Sequence, residues 1–126
     1  MNVEELALPD LQSRTKVAAE GTTTATLAGT AESGAAEPMR AYFARLHSAA
    51  ITAKSTEVRV ELVALEFMTS SCLKELLTWF ATVESAQQEG ATYKVRLRGT
   101  QKHSWQRRSF SALAAFSSNV VVDWGD

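Results

Sequence analysis

Apolar positions along the chain follow two periods, two and about 3.6 residues, and the changes from one to the other mark out its elements. "SRTKVAAEGTTTATLAGT" places Thr, Val and Ala in two short runs, residue types at home on half-exposed strands. It reads as a hairpin in which Gly21, after Glu20, supplies the turn that tolerates positive φ. In "ESGAAEPMRAYFARLHSAAITAK", Pro38 suits a first helical turn, where its missing N–H costs nothing. Met39, Tyr42, Phe43, Leu46 and Ala50 then recur at helical spacing and predict one core-facing stripe. "TEVRVELVALEF" predicts one strand, with Val58, Val60 and Leu62 on one face, Arg59, Glu61 and Val63 on the other, and a buried apolar end. A helix follows from about Ser70 to Gln88, with Leu73, Leu76, Leu77, Phe80 and Glu84 in one arc and Gly90 as its terminator. "TYKVRLRG" alternates Tyr93, Val95 and Leu97 with Lys94, Arg96 and Arg98, a strand with one wet face. "HSWQRRSFSALAAFSS" predicts a helix with Trp105, Ser109, Ala112, Leu113 and Phe116 turned inward, and "NVVVDW" a closing strand.

The resulting order, β-β-α-β-α-β-α-β, predicts an α/β fold: a single layer of mixed β-sheet packed by α-helices. Residues 1–10, with Glu4, Glu5, Pro9 and Asp10 around Val3, Leu6 and Leu8, read as an N-terminal arm or short strand. Residues 11–126 read as one domain. Sites in such sheets gather at the carboxyl ends of strands, where helices begin.

Composition narrows the function classes. Of 126 residues, 45% are hydrophobic and 21% charged, enough apolar material for a core, and the formal net charge is −1. Global charge therefore points neither to nucleic acid nor to a membrane surface. The lone Cys72 excludes an internal disulfide. With no signal-peptide pattern and no apolar run approaching the roughly 20 residues that cross a bilayer, a cytoplasmic protein is expected. One cysteine and two separated histidines, His47 and His103, do not make a structural zinc site, and no Gly-rich phosphate loop is present. No metal or cofactor is expected.

The chemistry concentrates where strand meets helix, in "MTSSC". Thr69, Ser70 and Ser71 are all able to cap a helix, a bond worth about 1 kcal/mol. Three such residues exceed what one helix needs, and a spare hydroxyl at a helix N-terminus is a suitable phosphate carrier. Cys72 as a nucleophile would need a base, and neither histidine lies in a motif that supplies one. Trp79 and Val83 share the flank of Cys72, either as the rim of the core or as interface anchors. Between Lys94 and Arg108 lie six of the thirteen basic residues, with Tyr93 and Trp105 beside or among them. A solvated face accounts for these better than a nucleic-acid site. An acidic protein partner, or ion pairs with Glu61 and Glu66, stands between those readings.

"VRVELVALEFMTSSCLKELLTWF" resembles the central signature of STAS domains, the anti-sigma factor antagonists, in which an apolar strand enters an apolar-Asp-Ser-Ser-Gly-Leu turn and then a helix. "ATLAGTAESGAAEPMRAYFARL" is similar to the family's Leu-x-Gly-x-x-Asp strand end, with Leu27, Gly29 and Glu32 at the equivalent places. "HSWQRRSFSALAAF" is similar to a variant branch in which a Trp-Gln-Arg-Arg block opens the last helix. Thr69 stands where the pattern has Asp, and Cys72 where it has Gly. The resemblance implies a STAS-like fold and a regulatory module with no catalysis of its own. Ser70 is then the phosphoacceptor, with Ser71 second. The implied partners are proteins: a serine kinase that is also an anti-sigma factor, and a phosphatase that reverses it. Docking is expected through Glu32, Thr69 and Cys72 and along the helix flank of Trp79 and Val83. The alternative is a constitutive scaffold or oligomerisation domain in which the serine pair only caps.

Overall fold

The structure is a computed structural model that describes residues 3–90 and 93–125. Met1 and Asn2 of the expected arm therefore lie outside the described residues. Among those described, the strands are β1 (Leu11–Lys16), β2 (Thr22–Ala31), β3 (Glu57–Glu61), β4 (Leu65–Met68), β5 (Lys94–Gly99) and β6 (Val120–Trp124). The helices are α1 (Ala36–Thr52), preceded by a 3₁₀ turn at Ser33–Ala35, α2 (Ser70–Gln88) and α3 (Ser104–Ala114). One sheet runs β1-β2-β3-β5-β6, and β4 also pairs with β2. β1 is antiparallel to β2 and every other pairing is parallel, so the sheet is mixed. The parallel neighbours are separated in sequence by helices, as parallel pairing requires.

Strand alternation sorts the sheet into two unlike faces. Leu11, Ala25, Leu27, Val58, Val60, Val95 and Leu97 point to one side and are all buried. Met39, Tyr42, Phe43, Leu46 and Ala50 of α1 pack there, in the stripe expected of that helix. α3 covers the same side, since a side chain on Gly99 would meet the Phe110 ring. On the opposite side the residues between these positions are exposed or half-exposed.

The N-terminal arm doubles back on β1. Ala7 bridges to Gln12, and Leu6 is buried in the common core. Glu5 accepts hydrogen bonds from Ser13 Oγ at 2.7 Å, Thr15 N at 2.6 Å and Thr15 Oγ1 at 2.7 Å.

Four details depart from the sequence pattern. The hairpin residue with positive φ is Glu20, at 59°, and not Gly21. Its N–H is held by Ala53 O at 2.9 Å, in the loop after α1. The single strand expected over Thr56–Phe67 is two strands, β3 and β4, broken at Leu62–Ala64. Leu62 in the break and Leu65 just after it are buried, but Val63 and Phe67 are 45% and 44% exposed, so the end is not buried on both faces. α2 buries Cys72, Glu75, Leu76, Trp79, Phe80, Val83 and Ala86, an arc turned by roughly 90° from the expected one at 100° per residue. α3 buries Gln106, Phe110 and Leu113, while Phe116, beyond the helix end, is 70% exposed.

The break and the turn of α3 have one cause. Gln106, fully enclosed, donates from Nε2 to Leu62 O at 2.7 Å and to Leu65 O at 3.0 Å, and accepts from Thr100 N at 2.8 Å. It satisfies the carbonyls that the interrupted strand frees, and so it faces inward where an apolar count would turn it out.

Two substitutions test these constraints. Gly29 has φ +111°, and a Cβ there would collide with Asp10 O. Gly29→Ala is expected to cost roughly 3 kcal/mol or more in urea denaturation, combining backbone strain with that collision. Gln106→Leu, which removes two N–H donors from the Leu62 and Leu65 carbonyls and the acceptor of Thr100 N, is expected to cost roughly 2–3 kcal/mol despite its greater apolarity. A neutral outcome would remove Gln106 from its structural role.

Candidate functional site

The turn from β4 into α2 sits at the carboxyl end of β2. Thr69 N donates to Ala31 O at 2.9 Å, extending the β2–β4 pairing by one bond into the turn. Thr69 occupies the N-cap position in extended geometry, φ −74° and ψ 164°, and its carbonyl accepts from Cys72 N at 3.1 Å and Leu73 N at 3.0 Å. Its side chain makes no capping bond, and Oγ1 is enclosed without a partner. The cap position expected of this residue is therefore met by its backbone and not by its hydroxyl.

Ser70 is exposed and Ser71 half-buried at the head of the 19-residue α2, whose first turn contains no acidic side chain. Cys72 points the other way. It is fully buried, and its Sγ–H donates to Glu32 O at 3.2 Å. This bond brings the Glu32 backbone against the start of α2 and leaves the exposed Glu32 side chain at the same end of the sheet as Ser70.

The fold thus brings together Glu32, Thr69, Ser70 and Ser71. Cys72, Trp79 and Val83, also expected at the docking surface, are buried. Trp79 and Val83, read as either the rim of the core or flank anchors, are only 3% and 1% exposed. The reason is α1, whose Phe43 stacks on Trp79 with ring centroids 4.9 Å apart. α2 has to bury one side against the sheet and another against α1, so its inward arc is wider than one stripe. The accessible aromatic near the turn is Phe67, three residues before Ser70, set edge-on to Trp105 at 6.4 Å. Trp105 is anchored in turn by Nε1–H to Glu66 O at 2.7 Å.

Two polar arrangements have no pattern in the sequence, because each joins residues far apart in the chain. Arg40 of α1 grips Glu75 of α2 with both arms, Nε to Oε1 at 2.9 Å and Nη2 to Oε2 at 3.0 Å. The hydrogen bond from Arg40 holds the Glu75 carboxyl below its usual range, and the same bond raises Arg40. Trp79 Nε1–H donates to Tyr93 Oη at 2.8 Å, and Tyr93 Oη lies 2.8 Å from His47 Nδ1. Burial pushes the Tyr93 hydroxyl well up and lowers the His47 imidazole. Arg40, Phe43, His47, Glu75 and Trp79 line a groove of about 240 Å³ between the helices.

Among the described residues no group of three or more His, Cys, Asp or Glu side chains is arranged to hold a metal, and no helix is long and apolar enough to cross a membrane. No family model matches the sequence, and no curated protein matches it significantly. Solved structures do. The chain is similar to an anti-sigma factor antagonist from Mycobacterium paratuberculosis, with a TM-score of 0.64 and 14% identity over 94% of this chain and 90% of that one. It is also similar to the anti-sigma factor antagonist SpoIIAA in its unphosphorylated form, with a TM-score of 0.58 and 17% identity over 87% of this chain and 86% of that one. The shared feature is the fold, the one that the sequence resemblance implied.

The His47 arrangement carries a pH dependence of known sign. Below about pH 6.5 the unfolded chain binds a proton on this imidazole that the folded chain resists, so stability falls as pH drops through that range. Thermal unfolding of the wild type is expected to lose more between about pH 7 and about pH 5 than that of His47→Gln. Equal losses in the two proteins would dissociate His47 from the effect.

Proposed function

We propose that this chain is a regulatory protein-interaction module without catalytic activity, docking a protein partner through the strand-end surface of Glu32, Thr69, Ser70 and Ser71, with Phe67 as its apolar contact. Ser70 is the switch. The partner is a serine kinase that also acts as an anti-sigma factor, and a phosphatase resets the module.

The observation that carries this reading is the division of labour at the head of α2. Ser70 faces solvent while Cys72, its neighbour on the helix, is wholly inside. The cysteine that replaces the glycine of the STAS pattern therefore does not cover the serine, and an approaching kinase meets Ser70 first. The site also tolerates the product. Phosphate adds about −1.5 to −2 charges, and a helix N-terminus favours negative charge by roughly 0.3–1 kcal/mol. The added charge falls on the docking surface, already carrying Glu32 and preceded by the exposed Glu66. An apolar or acid-facing partner is repelled there without unfolding of the domain. The two solved relatives named as anti-sigma factor antagonists support the same assignment at the level of fold.

The partner recovered with this chain as bait provides the assay. Ser70→Asp is expected to weaken its binding about ten-fold or more, a change of roughly 1.4 kcal/mol, while Ser70→Ala binds as the wild type does. Transfer of labelled phosphate from ATP should be lost in Ser70→Ala and kept in Ser71→Ala. Identical binding by Ser70→Asp and Ser70→Ala, with no labelling of either serine, would leave a constitutive adaptor in place of a switch.

A further inference from the structure

The face of the sheet turned away from the helices carries charges in register. Strand pairing aligns Arg14, Thr26, Glu61, Arg98 and Asp123 in one row across β1, β2, β3, β5 and β6. The next row is Lys16, Thr24, Arg59, Arg96 and Val121. A third joins Thr22, Glu57 and Lys94. None of these side chains belongs to a buried residue. Six cations thus share the face with three carboxylates, an excess of positive charge on a chain whose net charge is −1.

Internal pairing does not use up this charge. Glu57 serves two guanidinium groups, Arg96 at 3.2 Å and Arg59 at 3.7 Å, and Glu61 meets Arg98 at 3.7 Å. Among the described residues Arg14, Lys16 and Lys94 make no ion pair, and the enclosed Nε of Arg59 has no partner. At the strand ends the face continues into a hollow of about 360 Å³ whose lining includes the Arg98–Glu61 pair, Lys102 and His103.

We propose that this open face binds an extended acidic segment of a protein partner, independently of Ser70. At about 4.8 Å between strands, a five-strand row spans about 19 Å, the reach of about six extended residues. Carboxylates of such a segment meet the unpaired Arg14, Lys16 and Lys94, and the guanidinium N–H groups of Arg96 and Arg98 beyond the Nε atoms that face Glu57 and Glu61. Nucleic acid fits less well. Glu57, Glu61 and Asp123 lie among the cations where a continuous phosphate chain would pass, and no aromatic side chain stands in the three rows to stack a base.

The test uses the full chain and a fluorescein-labelled glutamate–alanine repeat peptide, read by anisotropy at low salt. The peptide is expected to bind, and to weaken as salt is raised. The double variant Arg14→Glu/Lys94→Glu, whose side chains make no ion pairs in the fold, should bind about ten-fold more weakly with an unchanged thermal midpoint. Arg107→Glu/Arg108→Glu on α3 makes the same charge change on the other side and should bind as the wild type does. No binding of the peptide, equal weakening by both double variants, or tighter binding of an oligothymidylate than of the peptide would each overturn the proposal.

Discussion

Strand β2 is the element on which the arrangement depends, because it is bonded along both edges and then hands the chain to the site. β1 runs antiparallel along one edge, and β3 and then β4 run parallel along the other. The change from β3 to β4 falls between Thr26 and Gly29 of β2, and the β4 pairing then shifts register between Gly29 and Thr30. There Gly29 N donates to Ala64 O at 3.0 Å and Thr30 N to Asp10 O at 2.7 Å, so three segments converge on one glycine that has no room for a side chain. Two residues later Ala31 O receives Thr69 N, and Glu32 O receives the thiol of Cys72. The place of Ser70 in space is therefore a consequence of how β2 ends.

Buried polar groups fix what hydrophobic packing leaves free. Leu, Val and Phe on a helix attract it to the core but do not choose among nearby rotations, since apolar burial is non-directional. Gln106, tied to Leu62 O, Leu65 O and Thr100 N, selects one rotation for α3. Trp79, bonded to Tyr93 and stacked on Phe43, does the same for α2. Each group would be costly unpaired, so satisfying it specifies geometry even where it adds little to net stability.

The same division produces two unlike working surfaces. All three helices lie on one side of the sheet, and α2 presents Ser70 at the strand ends. The other side is left with its own alternating polar residues and, among the described residues, no helix over it. The proposed switch at Ser70 and the proposed site for an acidic segment occupy different parts of the molecule, so the two proposals do not compete for one surface.

Much of this was legible in the sequence. The strand and helix segments, the core stripe of α1 and the wet face of β5 follow from local periodicity, because backbone geometry alone decides which side chains share a face. The closeness of Glu32 to the Thr69–Ser71 turn came from motif resemblance and not from any physical pattern in the chain. The broken strand at Leu62–Ala64 was illegible: no glycine or proline marks it, and its carbonyls are satisfied by Gln106, 41 residues or more away. The inward turn of Trp79 was likewise settled by α1, whose Phe43 stacks on it, since an amphipathic helix with a second neighbour buries a second flank. Local sequence determined the elements and which of their faces are apolar. Tertiary structure alone decided which polar groups those faces had to take inside with them, because a buried donor or acceptor has to find its partner wherever the fold supplies one.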